Sequence, residues 1–338
     1  MNVNKKVIIL GIESSCDETS ASVCIDGEIV SNIIATQSIH TEYGGVVPEL
    51  ASRAHMQNIV PVVDKAIKEA NITLSEMDAI AFTQSPGLIG ALLVGSSFAK
   101  SLAMSLNIPV IGVHHMQAHV ISNLIESPQP TFPFLCLTVS GGHTQIVFCK
   151  DPLTMEVLGE TIDDAAGEAF DKAAKMLGLP YPGGPLIDQY AQLGNRERYH
   201  FPEPQLEGLN FSFSGVKTSI LYFLQKQIKE DIDFIEKNRN DICASIQQCI
   251  VNILLHKLKK ASAKTGIKTI CLAGGVSANK GLRNGLMEMG EKYQWNIHIP
   301  SPIYCTDNAA MIALTGYHKF LKGITSPLSA AASARASW

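Results

Sequence analysis

Apolar residues fall in two rhythms along this chain. Residues 7–12 form an apolar run rich in β-branched residues, residues 19–25 alternate apolar with polar, and Asp26-Gly27 leads into a third extended run over 28–34. Period two around an Asp-Gly pair predicts strands joined by a tight hairpin, so the chain opens as an antiparallel meander. Pro48 then starts a helix, where its missing N–H is not needed. A strand over 78–83, a helix over 89–106, a short strand over 109–112 and a second helix follow. The prolines and polar residues of 127–130 break the pattern. After them come a strand over 134–139, the turn Ser140-Gly141-Gly142-His143-Thr144, and a returning strand over 145–149. This hairpin repeats the first, with a small, hydroxyl-bearing turn between apolar strands.

Helices are predicted over 165–177, 185–193, 216–228 and 241–264. A strand over 269–272 runs into Gly274-Gly275 and a helix reaching about 289. The segment 301–311 places Thr306 or Asp307 at the N-cap of the last helix. Strands alternating with helices imply α/β layers, and 338 residues exceed one typical core, so two lobes are expected. The expected division is a first lobe over 1–130, joined by a C-terminal helix over 308–322, and a second lobe over 131–307 with helical insertions.

Composition adds exclusions. The net charge of -4 gives no sign of a globally basic nucleic-acid binder, although a local patch is compatible with it. Eight cysteines without a C-x-x-C pair argue for thiols, hence a cytoplasmic protein, rather than a zinc ribbon or disulfide framework. The apolar N-terminal run is short and closely followed by Glu13, which fits a buried strand, not a signal peptide. The apolar stretch over 87–98 is broken by glycine and serine and soon reaches Lys100, so no membrane span is expected.

Candidate chemistry centres on His114-His115-Met116-Gln117-Ala118-His119. Four residues advance a helix by about 400°, which stacks His115 over His119 on one face, where they can chelate one ion. His114 points elsewhere. A zincin peptidase would need glutamate directly after the first histidine, and Met116 stands there. The turn over 11–19 is dense in hydroxyls and carboxylates. It reads equally as a solvated hairpin loop and as a phosphate cradle whose carboxylates order a cation or water.

The segments GIESSCDET, YGGVVPELASRAH, PGLIGALLVG, HHMQAH, SGGHT, GEAFDKAAKMLG, PGGP, FSFSGVKT, AGGVSAN and CTDNAAM occur in this order. Together they resemble the TsaD/Gcp family in its bacterial branch, tRNA N6-adenosine threonylcarbamoyltransferases. The resemblance implies the ASKHA fold of actin, sugar kinases and heat-shock chaperones, with two RNase H-like lobes and an interlobe cleft. It implies that Asp307 completes a metal site with His115 and His119, a set suited to iron(II) and also to zinc. It further implies that Thr138, Val139, Ser140, Gly141, Gly142, Asp171, Gly184, Asp188 and Asn279 bind substrate.

The implied reaction passes the threonylcarbamoyl group of threonylcarbamoyl-AMP to N6 of adenosine 37 in tRNAs reading ANN codons, releasing AMP. Asp17 and Glu18 are candidates for taking the amine proton or ordering water. Implied partners are tRNA, a paralogous inactive ASKHA subunit (TsaB-like) and a small P-loop ATPase (TsaE-like), with no membrane. Lys257, Lys259, Lys260, Lys264, Arg196 and Arg198 are candidates for tRNA docking. Rival readings are a metallopeptidase and a small-molecule kinase of the same fold. Ser85, Gln117, Ala118 and Val216 depart from the usual motifs, and none is a proposed ligand.

Overall fold

A computed structural model describes residues 6–204, 206–336 and 338. Its first sheet is built on β1 (Ile8–Glu13), buried along its whole length. Such burial on both faces is what a central strand requires. β2 (Glu18–Ile25) and β3 (Glu28–Thr36) follow, with β2 antiparallel to both, as the meander pattern predicts. A short helix α1 (His40–Tyr43) precedes α2 (Pro48–Glu69), which has proline in its first turn. β4 (Ala79–Ser85), α3 (Ile89–Leu106), β5 (Val110–His114) and α4 (His115–Ile121) complete this half. The sheet order is β3-β2-β1-β4-β5, with β1, β4 and β5 parallel.

The second sheet contains β6 (Phe134–Val139), β7 (Thr144–Asp151) and β8 (Thr154–Glu160). Then come α5 (Ala166–Met176), α6 (Gly183–Ala191), α7 (Ser214–Glu230) and α8 (Phe234–Thr265). β9 (Thr269–Ala273), α9 (Lys280–Tyr293), β10 (Asn296–His298), α10 (Pro302–Cys305) and α11 (Ala309–Leu321) end the chain. The sheet order is β10-β9-β6-β7-β8, with β6 antiparallel to β7 and parallel to β9. Strand for strand this repeats the first sheet, so the internal duplication is one of topology and not only of two hairpins. β8 and β10 have no counterpart among the predicted strands, and α8 begins seven residues before position 241. β8 lies at a sheet edge with a mostly half-exposed pattern, which gives little apolar signal.

The chain divides into two compact units. One comprises Met1–Gln129, Lys150–Met155 and Pro300–Trp338, the other Pro130–Cys149 and Glu156–Ile299. The return to the first unit therefore begins at Pro300, where Ser301 N and Oγ donate to the Glu126 carboxylate. In the first unit, strand alternation sends Ile8, Leu10 and Ile12 into a core with Ile59, Val62 and Val63 of α2 and Ala99 and Ala103 of α3. Ile9, Gly11 and Glu13 therefore face the other side. There α11 lies directly on the sheet, because a Cβ at Gly11 would stand 2.6 Å from Ala309 O and one at Gly316 2.4 Å from Ala81 Cβ.

Among the described residues α3 is the one helix long and apolar enough to cross a bilayer by length and composition. Here its small face, including Ala91, Gly95 and Ser96, is buried, and Gly95 packs on the Ser14 hydroxyl. In the second unit the core joins Leu135, Leu137 and Leu272 of the sheet to Phe170 and Ala173 of α5 and to the long apolar face of α8.

Candidate functional site

The parallel strands β1, β4 and β5 end at one edge of the first sheet, and each delivers a polar group there. β1 ends in Glu13, β4 carries Thr83, and β5 runs straight into α4, whose first residue is His115. Because Gly11 pairs with Ala81, Glu13 and Thr83 lie side by side on the same face, one pleat further on. One helical turn beyond His115 stands His119. Asp307 immediately precedes the N-cap of α11.

These three side chains converge. His119 Nε2 lies 3.1 Å from Asp307 Oδ1, His115 Nε2 lies 3.4 Å from the same oxygen, and the two Nε2 atoms are 3.2 Å apart. Ligands at ~2.05 Å around a tetrahedral ion stand ~3.3 Å from one another, so the trio has the spacing of one shared first-row divalent cation. Two imidazoles and a carboxylate also fit iron(II) or zinc by donor type. A single proton on His119 or His115 would satisfy only part of this arrangement. Without an ion, burial works against charge on His115, but the Asp307 and Glu13 carboxylates prevail and raise its pKa well above the usual histidine value. For Asp307 burial is likewise outweighed, and the His115 and His119 rings hold its carboxyl below the usual range.

Around this trio lies a buried network. Glu13, fully buried, accepts from Ser15 N at 2.5 Å and Thr83 Oγ1 at 2.6 Å, and its Oε2 lies 3.0 Å from His115 Nδ1. Leu88 N donates to Ser15 O at 2.8 Å, and a Cβ at Gly87 would meet that oxygen at 2.6 Å, so the loop before α3 seats the turn that follows β1. His55 of α2, also fully buried, ties the turn from the other side through Thr19 Oγ1 at 2.8 Å and Cys16 O at 2.9 Å. The turn holding Asp17 is thus a framed element and not a solvated loop. Burial first, then the charges of Asp307 and Asp17, push the Glu18 carboxyl up to about 10.

In the second unit the turn after β6 is closed by Ser140 N donating to His143 O at 2.8 Å. Thr138 and Val139 are buried, while Gly141 and Gly142 are exposed and would carry a Cβ into open space. The strand end, Gly274 and the starts of α5, α6 and α9 gather here. A Cβ on Gly274 would stand 2.4 Å from Val139 O, and one on Gly167 2.5 Å from Ser140 O.

Asp171 Oδ1 accepts from Gly183 N at 2.9 Å and Gly184 N at 3.0 Å, the first N–H groups of α6. Burial raises its pKa against those donors. Asp188 accepts from Lys280 N with both oxygens at 3.2 Å. Asn279 caps α9 through Leu282 N at 2.9 Å and donates to Gln247 Oε1 at 2.8 Å. The sequence-predicted substrate residues therefore meet around three helix N-termini at the carboxyl ends of parallel strands, a setting that favours anionic, nucleotide-like ligands.

Two expectations change. The N-cap of α11 is Asn308, whose Oδ1 accepts from Met311 N at 3.1 Å, and this leaves Asp307 available as a ligand. Lys257 is buried, donating to Leu206 O at 2.7 Å and Gly208 O at 2.9 Å, so it is a brace for that loop rather than a docking group. Lys259, Lys260, Lys264, Arg196 and Arg198 are exposed. Glu13, Thr83 and His55 received no role from the sequence. The even placement of Glu13 in a continuous apolar strand was the available signal, since a carboxylate buried there requires partners.

Residues 28–314 match the sequence profile described as TsaD: tRNA N6-adenosine threonylcarbamoyltransferase. A protein of that name from Christiangramia forsetii is 59% identical over 335 residues, covering 98% of both chains. Its namesake from Porphyromonas gingivalis is 55% identical, covering 97% of this chain and 98% of its own. Among solved structures, HypF of T. kodakarensis matches 95% of this chain and 48% of its own with a TM-score of 0.64 at 14% identity. Component A of the (R)-2-hydroxyglutaryl-CoA dehydratase of Acidaminococcus fermentans matches 93% of this chain and 98% of its own, with a TM-score of 0.55 at 14% identity. At such identities the likeness is one of fold, and the fold is of the ASKHA type.

Proposed function

The chain belongs to the TsaD family of tRNA N6-adenosine threonylcarbamoyltransferases, and from that premise we propose how its residues carry the transfer. The acceptor is N6 of adenosine 37 in tRNAs reading ANN codons, and the donor is threonylcarbamoyl-AMP. N6 attacks the carbamoyl carbon, a C–N bond forms, the C–O bond to the phosphate breaks, AMP leaves, and N6 gives up one proton. His115, His119 and Asp307 would hold a divalent ion, iron(II) in preference to zinc. When bound, such an ion supplies positive charge to phosphate oxygens.

The chain's own groups do the rest. Ser140, Gly141 and Gly142 offer backbone N–H groups and open space beside Thr138 and Val139, where a phosphate or sugar can approach the main chain. Asp171 and Asp188 keep lone pairs for ribose hydroxyls beyond the helix N–H groups they already serve, and Gly184 admits a flat ring. Asn279 holds the start of α9 in place at the same site. Of the two turn carboxylates, we assign proton removal to Asp17. Glu18, pushed up to about 10 chiefly by burial, keeps its proton at neutral pH and donates a hydrogen bond instead. The tRNA, a TsaB-like inactive paralogue and a TsaE-like P-loop ATPase are the proposed partners, and the cytoplasm the proposed compartment.

The observation that carries this reading is the convergence of the two imidazoles and Asp307 within 3.4 Å, in a chain of this family. The test is transfer of labelled threonylcarbamoyl from its adenylate to tRNA with the partner proteins supplied. Wild type should form product, and His115→Ala, His119→Ala and Asp307→Ala should each lose it. Absence of product from wild type refutes the assignment.

A further inference from the structure

The geometry points to Glu13 as a positioning residue that fixes the ring orientation and tautomer of the metal ligand His115; the inference rests on reading the trio as a metal site. Glu13 Oε1 is occupied by the Ser15 N–H, and Oε2 faces both the Thr83 hydroxyl and His115 Nδ1. An ionised carboxylate only accepts, so the 3.0 Å contact is a hydrogen bond only when His115 Nδ1 carries the proton. That leaves Nε2, the atom directed at Asp307 and His119, as the lone pair that a cation needs.

The two imidazoles are unequal in this respect. Among the described residues His119 Nδ1 has no hydrogen-bond partner, whereas His115 Nδ1 faces Glu13 and, at 3.2 Å, Ser15 Oγ. On the Nδ1 side, one ring is thus set by a carboxylate and the other, among the described residues, by packing, since His119 is fully buried. Glu13 is itself held firmly. Thr83 reaches it from the neighbouring strand in register and Ser15 from the next turn, so its carboxylate cannot rotate away without forfeiting two other bonds. Carboxylates placed behind a metal-bound histidine in this way raise its basicity and reduce the freedom lost on binding, and removing them costs typically 10- to 100-fold in metal affinity.

The test is zinc affinity of the apo full-length protein, by competition with a chromophoric chelator, for wild type, Glu13→Gln and Thr83→Val. The glutamine retains shape but turns an amide N–H2 toward one of the three donors. The valine removes only the hydroxyl that steadies Oε2. The Kd should rise roughly 10- to 100-fold for Glu13→Gln and roughly two- to tenfold for Thr83→Val. The cobalt(II)-loaded proteins should also differ from wild type in their d–d absorption, which a loss of general stability would not produce.

Variant Kd values within twofold of wild type, with an unchanged cobalt spectrum, overturn the role of Glu13 while leaving the metal site standing. Wild type that binds neither ion overturns both. If Glu13→Gln does not fold, the Thr83→Val result decides alone by the same criterion.

Discussion

Gly167→Ala sets a small structural change against a large functional one. Gly167 is the second residue of α5, with no left-handed backbone, so alanine there should favour the helix by about 0.5–1 kcal/mol. Yet its Cβ would stand 2.5 Å from Ser140 O and 2.8 Å from Gly141 Cα, both main-chain atoms that cannot swing aside. Opening the contact to an acceptable distance moves the turn by roughly 0.5–0.9 Å. It also stretches the 3.2 Å bond from Gly167 N to Ser140 O. Overpacking costs about 1–3 kcal/mol and the weakened bond about 0.5–1.5 kcal/mol, so after the helix gain the net loss is about 0.5–4 kcal/mol. For a unit of this size that lowers Tm by about 2–4 °C per kcal/mol.

Transfer should suffer far more, because about 1 Å of misplacement at a reacting site costs on the order of 10²-fold. Thermal melts paired with transfer kinetics, donor concentration varied, read both effects. A folded variant with wild-type kcat/KM would refute the placement of the 140–142 turn against the donor, whatever its Tm.

Glu18→Gln should retain transfer within about tenfold, since an amide still donates a hydrogen bond, whereas Asp17→Asn should lose about 10²-fold or more if it removes the proton acceptor; equal losses in single-turnover rates would defeat the division of labour. Burial holds His55 and His318 below the usual histidine value of 6.5. Above that value both folded and unfolded chains carry them neutral, and as pH falls through it only the unfolded chain gains protons. Each therefore subtracts stability below pH 6.5, by at most about 1.4 kcal/mol per pH unit until its folded pKa is reached. Urea unfolding at pH 7.5 and 5.5 should show a smaller loss for His318→Phe than for wild type, and an equal loss would contradict the sign. Asn308→Ala removes the cap of α11 and should cost about 1 kcal/mol, measured by the same unfolding, with zinc affinity reduced because Asp307 is anchored by that cap.

Much of the fold was legible because local residue patterns specify single elements. The continuous run of β1, the alternation of β2 and the Asp-Gly turn each specify their element locally. The edge strands β8 and β10 were not: β8 is exposed or half-exposed along most of its length and β10 has three residues, so neither carries such a pattern. The same limit applied to Asp307. Beside a helix start an aspartate reads as a cap, and its neighbour Asn308 offers the same chemistry.

By itself the sequence determined the helical face shared by His115 and His119, the two strand-turn-strand hairpins, and the family, because these depend on spacing within single elements and on motif order. Only the tertiary structure decided that Asn308 takes the cap, that Asp307 stands within 3.4 Å of His115 and His119, that Lys257 is a buried brace, and that Glu13 stands beside His115 Nδ1. The placements of Glu13 and Asp307 depend on register between β1 and β4 and on α11 lying against Gly11, and the Lys257 brace on α8 meeting the loop at Leu206 and Gly208, contacts between residues from about 50 to about 300 positions apart. No local pattern encodes them, since the same side chain is a cap, a brace or a ligand according to what the fold sets opposite it.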